Sequence, residues 1–377
     1  MDLSKISGIA ILGAGIFVGE AYLPALATLG HTSPPLKAVY SRSEKSSTET
    51  AQNSTRILGL PSSPDVYFDG DHPNNLDALL GRSDIAAVII ALPITLQPDI
   101  VLKCLSAGKH VLSEKPVAPD VARGLRLLRD AEPICQRHGL VWHVAENYET
   151  EPVYRAAGEV IKSGKIGNII FFKVAVVNYI DKTSKWYKTP WRTVPDYQGG
   201  FLLDGGVHTI AALRTMLPQT FTHLSGFASL NKEYLPPHDT IHCVVQAGSH
   251  YHGIVEMTFA SPTKSVPAAE NIVITGSKGW LACNATSEGF KMVIRIAEQK
   301  DSEATEEKEE IMNFPRKGVE TELEAFFDDI VKQQAGEHTS SIGDPKAALE
   351  DVAFIQAALT SKGNLMPLPS SFKLLPK

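Results

Sequence analysis

Short apolar runs alternate with helical patterns through residues 1–148, and this alternation limits the possible folds more than any other feature of the chain. The runs "ISGIAILGAG", "LKAVYSRS", "DVYF", "IAAVIIALP", "HVLSEKP" and "GLVWHVAEN" read as strands. Helical segments separate them: "IFVGEAYLPALATLG", "NNLDALLGRS", "QPDIVLKCLSAG" and "APDVARGLRLLRDAEPICQRHG". Such alternation predicts a parallel, doubly wound sheet. "IAAVIIALP" has no polar break, as expected of a strand buried on both faces. Ligands of such sheets bind at the carboxyl ends of the strands. Gly13, Gly15, Ser41, Arg42, Pro93, Glu114, Lys115 and Asn147 all fall at those ends.

The first strand runs into Gly13 and Gly15 and then into a helix, the arrangement that brings a pyrophosphate to a helix N-terminus. Ile16 and Phe17 open that helix, Leu92 precedes Pro93, and all three count as cofactor-binding candidates. The full G-x-G-x-x-G pattern fails by one place, because Val18 stands where the third glycine belongs and Gly19 follows it. An acid at the end of the second strand would bind a ribose 2′-hydroxyl, but "YSRS" has none. Ser41 and Arg42 offer a hydroxyl and a cation instead, which suits a 2′-phosphate, so NADP(H) is expected to be preferred over NAD(H).

After Tyr148 the pattern changes. An amphipathic helix, "EPVYRAAGEVIKSGKIG", is followed by strand-like runs: "NIIFFKVAVVNY", "FTHLSGFASL", "TIHCVVQA", "YHGIVEMTF", "NIVITG" and "GFKMVIRIAE". Only "GVHTIAALRTML" interrupts them as helix, and two more helices close the chain. These features predict a Rossmann domain over 1–148 and an α/β domain over 149–377. The second domain would hold a large, open, mostly antiparallel sheet, with the closing helices free to pack back on the first. An apolar sheet with helices on one side predicts a homodimer or higher homo-oligomer through the other face. The acidic run "DSEATEEKEE" reads as a solvated loop or hairpin. His250 and His252 alternate on one strand near a hairpin end, and no third ligand can be placed, so no metal site is read.

A length of 377 residues suits two domains. The net charge of −6 argues against nucleic acid as a partner and leaves a small-molecule substrate as the expectation. Cys104, Cys135, Cys243 and Cys283 show neither zinc nor redox spacing and read as thiols of a reducing compartment. The opening "MDLSKISGIAILGAG" lacks the marks of a signal peptide, the terminal "LLPK" matches no targeting signal, and no stretch is long enough to span a membrane. A cytoplasmic location is expected.

Two segments carry further chemistry. In "DKTSKWYKTPWRTVPDYQ", Trp186, Trp191, Arg192 and Tyr197 could stack on and hold a substrate, or pack against a partner subunit. In "GGFLLDGGVH", Asp204 and His208 stand four apart, on one face of a helix. A nicotinamide carries the hydride, so the protein must supply a proton donor or acceptor and a cation. Lys115, His208 and Asp204 are the catalytic candidates.

These motifs bring out a resemblance. "GAGIFVGEAYLPAL", "AGKHVLSEKPVA", "GGFLLDGGVH", "ITGSKGWLA" and "DPKAALEDVAFIQAAL" follow one another as in the glucose–fructose oxidoreductase and inositol dehydrogenase family, written Gfo/Idh/MocA. The resemblance implies a nicotinamide cofactor held between a Rossmann domain and an α/β domain, acting on a hydroxyl/carbonyl pair of a sugar or polyol. It implies that Lys115 is the E-K-P lysine, and that Asp204 and His208 orient substrate and move the proton. The glycines around them would let the loop pass close to the nicotinamide, and a cis Lys115–Pro116 bond is expected. The chain departs from the family pattern at Val18, at Gln97 in place of a frequent histidine, at Glu149 in place of a common arginine, and at Ala211 and Ala212. A less polar pocket would suit a secondary-metabolite ketone, enone or imine. The alternatives are a redox-assisted lyase or hydrolase with a resident cofactor, and a non-catalytic nucleotide-binding sensor.

Overall fold

The computed structural model describes residues 6–70, 72–265, 271–299 and 305–369. The first residues of the chain, the start of the acidic run and the terminal "LLPK" lie outside them. The described residues form two compact units, one made of those up to Asn147 with Gly318–Leu349, the other of those between Tyr148 and Lys317 with those from Glu350 onward.

In the first unit, β1 (Ile9–Leu12), β2 (Leu36–Ser41), β3 (Asp65–Phe68), β4 (Ala87–Ile90), β5 (His110–Glu114) and β6 (Trp142–Ala145) form one sheet in the order β3-β2-β1-β4-β5-β6. Every pairing in it is parallel. Strands β1 and β4 are buried throughout, as an unbroken apolar run requires when helices cover both faces. The strand order reverses between β1 and β4, which places the binding crevice of such a sheet beyond their carboxyl ends. The helix Gly318–Ala335 supplies Leu323, Phe326, Phe327 and Ile330 to the core that holds Ile9, Ile11 and Tyr22.

Two details differ from the sequence reading. The chain after Gly15 makes a π-helical turn over Val18–Tyr22 before the regular helix Leu23–Leu29. That wider turn takes Val18 into the core at 1% exposure, so the missing third glycine is absorbed locally. A helix over Glu44–Leu58 was not apparent in the sequence, because "EKSSTETAQNSTRIL" carries almost no apolar periodicity. Ser43 starts it by accepting a hydrogen bond from the Ser46 amide at 3.3 Å.

In the second unit, nine strands form one sheet. They are β7 (Ile169–Val177), β8 (Phe221–Ser229), β9 (Thr240–Ala247), β10 (Tyr251–Thr258), β11 (Ile272–Gly276), β12 (Gly279–Ala285), β13 (Phe290–Gln299), β14 (Thr305–Phe314) and β15 (Met366–Pro367). Their order is β14-β13-β12-β11-β7-β10-β9-β8-β15. Only β7 and β10 pair in parallel. The end of the acidic run lies in β14, paired with β13 as one arm of a hairpin, and His250 and His252 lie at the β9–β10 turn. Ile241, Cys243 and Val245 of β9 point to the buried face, while His242, Val244 and Gln246 point to the exposed one.

Candidate functional site

The first unit gathers most of the cofactor candidates at the carboxyl ends of its strands. Gly13 has φ +130°, and a Cβ there would lie 2.2 Å from the Ala91 carbonyl oxygen, so only glycine lets β1 leave the sheet beside β4. Gly15 is different, since a Cβ there would meet nothing within 4 Å. Open space in front of the following helix is what a pyrophosphate needs, and the residues present fit a dinucleotide. At the end of β2, Ser41 is buried and its hydroxyl bonds the Ser43 carbonyl and the Ser46 hydroxyl at the start of the next helix. Arg42 beside it is exposed, with no ion pair or hydrogen bond to any described residue. Leu92 and Pro93 follow β4, and Ile16 and Phe17 open the helical turn.

Glu114 and Lys115 end β5, and the Lys115–Pro116 bond is cis, as the sequence reading expected. Tyr22 Oη donates to Glu114 Oε1 at 2.7 Å. Burial, followed by the carboxylates of Glu114, Glu322 and Glu146, holds the Tyr22 phenol protonated well above its ordinary range. Gln97, in place of the frequent histidine, is 1% exposed, and neither of its amide atoms has a hydrogen-bond partner. Asn147 follows β6 at the start of a short helix.

The second unit holds the other candidates. Gly199 and Gly200, with φ of +75° and +52°, turn the chain into the helix Phe201–Met216. Gly205 and Gly206 lie inside that helix, where a Cβ would meet the Phe259 ring at 2.7 Å and Ile355 at 3.1 Å. This corrects the sequence reading: packing of this helix accounts for the inner glycine pair, and a backbone turn for the outer one. The i, i+4 spacing still places Asp204 and His208 on one side of the helix. Asp204 is buried and its Oδ2 accepts from Arg192 Nε at 2.7 Å. His208 is half-buried and stacks on Tyr148, with ring centroids 4.7 Å apart and 25° between planes. Trp191 packs on Tyr197 at 5.9 Å, and Arg192 lies 4.0 Å over the Trp191 ring and 5.2 Å from that of Trp186.

Two residues of this region escaped the sequence reading. Tyr148 is the platform for His208, and its only sequence signal was an aromatic ring at the domain boundary. Arg214 explains Glu149: its guanidinium lies 3.5 Å from Glu149 and bonds both oxygens of Asp351 at 3.2 and 3.1 Å. The acid that replaces a common arginine therefore has its countercharge on the His208 helix.

The comparisons with known proteins agree with this architecture. Residues 7–145 match the family described as "Oxidoreductase family, NAD-binding Rossmann fold", and residues 154–282 match the "GFO/IDH/MocA C-terminal domain". Dehydrogenase FPY6 of Fusarium mangiferae is 38% identical over 94% of this chain and 96% of its own length. A dTDP-3,4-didehydro-2,6-dideoxy-alpha-D-glucose 3-reductase of Streptomyces violaceoruber is 31% identical over 55% of this chain and 54% of its own. The crystal structure of an oxidoreductase from Thermotoga maritima superposes with a TM-score of 0.77 at 28% identity, covering 95% of this chain and 97% of that one. A Rossmann unit with an open dinucleotide turn, joined in sequence to a broad mixed sheet, defines an NAD-binding oxidoreductase. The chain belongs to the Gfo/Idh/MocA family.

Proposed function

We propose that this protein is an NADP-dependent oxidoreductase that moves a hydride between the nicotinamide and a hydroxyl/carbonyl pair of a sugar-like or related small molecule. The observation that carries the cofactor choice is Arg42, an exposed cation at the end of β2 with no acid in "YSRS". The Ser41 hydroxyl is engaged with Ser43 and Ser46, so the exposed arginine supplies the selectivity. One charge-assisted hydrogen bond contributes about 1.5–3 kcal/mol, or roughly 10- to 100-fold in affinity. Titration with both cofactors is expected to show NADPH binding tighter by that margin, and Arg42→Ala to narrow the gap. Equal or tighter NADH binding overturns the preference.

When bound, the nicotinamide supplies or accepts the hydride. In this reading Lys115 hydrogen-bonds the substrate oxygen and steadies its charge, and His208 exchanges the proton. Asp204 acts through Arg192, which it fixes, and Trp186, Trp191 and Tyr197 line the substrate side. The reductase from Streptomyces violaceoruber, whose name describes a keto-sugar substrate, supports a sugar-related carbonyl. Four free cysteines, three of them buried, support a cytoplasmic setting.

A second copy of the chain is the proposed partner for the exposed sheet face. Phe171, Phe227, Val244 and Ile254 are 44%, 66%, 55% and 43% exposed there. So many large apolar side chains on one face exceed what a soluble monomer ordinarily leaves in water. Light scattering at micromolar concentration is expected to give a dimer or larger, and Val244→Lys with Ile254→Lys to shift it toward monomer. A monomer in the unmodified protein defeats this proposal.

A further inference from the structure

The aromatic segment before the His208 helix holds an arginine in an unusual state. Arg192 has a side-chain exposure of only 14%, yet a single hydrogen bond to protein, from Nε to Asp204 Oδ2 at 2.7 Å. Its two terminal nitrogens donate to no described residue. Two indoles border the guanidinium, Trp191 at 4.0 Å and Trp186 at 5.2 Å. Stacking and the Asp204 bond together fix the plane and rotation of the fork, which leaves its outer edge, with parallel N–H groups, unused. Tyr197 beside it is 7% exposed, and its hydroxyl has no acceptor of its own.

We infer that the substrate carries a carboxylate and that the outer edge of Arg192 binds it in a bidentate pair. The inference rests on the oxidoreductase reading and names the substrate class of that same site. A mainly structural arginine in a half-buried setting uses several of its five donors on protein acceptors, whereas this one keeps its fork vacant. The local charge favours a monoanion over a phosphate dianion. Asp204 already balances the charge of Arg192. A planar carboxylate also matches the spacing of the fork, and the flanking indoles offer apolar faces to the carbon skeleton behind it. Asp204 is thereby a positioning residue, acting on substrate through Arg192.

The test uses the full chain loaded with NADPH and compares matched acids and amides: D-glucuronate with D-glucuronamide, D-galacturonate with D-galacturonamide, and pyruvate with pyruvamide. Hydride transfer is followed as kcat/KM, and quenching of tryptophan fluorescence reports binding under the same conditions. The expected result is an acid-over-amide preference of about 10- to 100-fold, carried mainly in KM. Arg192→Lys keeps the charge but loses the fork, so it retains part of that preference, and Arg192→Gln removes it. Lys188→Gln, an exposed cation of the same segment, is expected to leave the preference unchanged, which separates a specific pair from general attraction. Amides used as well as acids, or a preference that survives in Arg192→Gln, overturns the inference while leaving the oxidoreductase reading intact. Failure of hydride transfer to every compound defeats that reading instead. Fluorescence still decides in that case: acids that saturate at least 10-fold below their amides support the carboxylate site, and no difference, including no binding by either, overturns it.

Discussion

Lys115→Met and His208→Ala are each expected to lower turnover by about 10²–10⁴-fold, the range for removing a positioned acid–base group. NADPH affinity should persist in both, because the glycine turn and Arg42 are untouched. If the two residues serve one reacting oxygen, the double variant is little slower than the worse single one. Independent roles would multiply the losses. His208 also stacks on Tyr148 at 4.7 Å, so a purely structural histidine makes a different forecast. In that case His208→Ala lowers the melting temperature, and the folded fraction keeps its activity. Stopped-flow and steady-state rates on folded protein distinguish the two, and near-normal turnover by Lys115→Met removes the proposed mechanism.

Asp329→Ala is expected to destabilise the first unit by about 1–3 kcal/mol, the cost of leaving hydrogen-bond donors without their acceptor. Asp329 is 1% exposed in its side chain and lies 3.2 Å from His143 Nε2. It also accepts from the Ser340 amide at 2.9 and 3.0 Å and from the Ser340 hydroxyl at 2.7 Å. The alanine would remove the acceptor of these half-buried donors. Burial disfavours the Asp329 carboxylate, but the bonds from His143 and Ser340 outweigh it and hold its pKa below the ordinary 3.8. A group whose folded pKa is depressed stabilises the protein above its unfolded value, and the benefit disappears as pH falls through the folded one. Urea unfolding should therefore show the gap between wild type and Asp329→Ala constant near neutrality and shrinking below about pH 4. A gap that widens on acidification contradicts this account.

The legibility of the chain varied with the physical origin of each feature. The central parallel strands β1 and β4 were readable because burial on both faces leaves a continuous apolar run, and the half-exposed edge strand β3 was readable from its place in the alternation. The helix Glu44–Leu58 was not, because one side carries the buried Ser47, Thr50 and Ser54: Thr50 and Ser54 donate to carbonyls one turn back, and Ser47 donates to the Tyr67 carbonyl of β3. Strand β12 shows no clean alternation, since Leu281, Ala282 and Cys283 are buried in succession although their side chains alternate between faces. Lys115, Asp204 and His208 were picked out by residue type and motif; Lys115 follows β5 as expected, but the helix of Asp204 and His208 begins at Phe201, five residues before the segment "GVHTIAALRTML" that the pattern marks. What Asp204 touches was not readable, because Arg192 precedes it by twelve residues across a turn that no periodicity describes.

The sequence by itself determined the Rossmann alternation, the change to an antiparallel sheet after Tyr148, and the positions of the chemically capable residues. Each of these is written in local patterns of two or 3.6 residues, or in a contiguous motif. The tertiary structure alone decided which polar groups meet. It paired Arg192 with Asp204 and Glu149 with Arg214, and assigned Gly205 and Gly206 to Phe259 and Ile355. Such pairings depend on side chains that are distant in sequence and become neighbours only when strands and helices pack, so no local pattern encodes them.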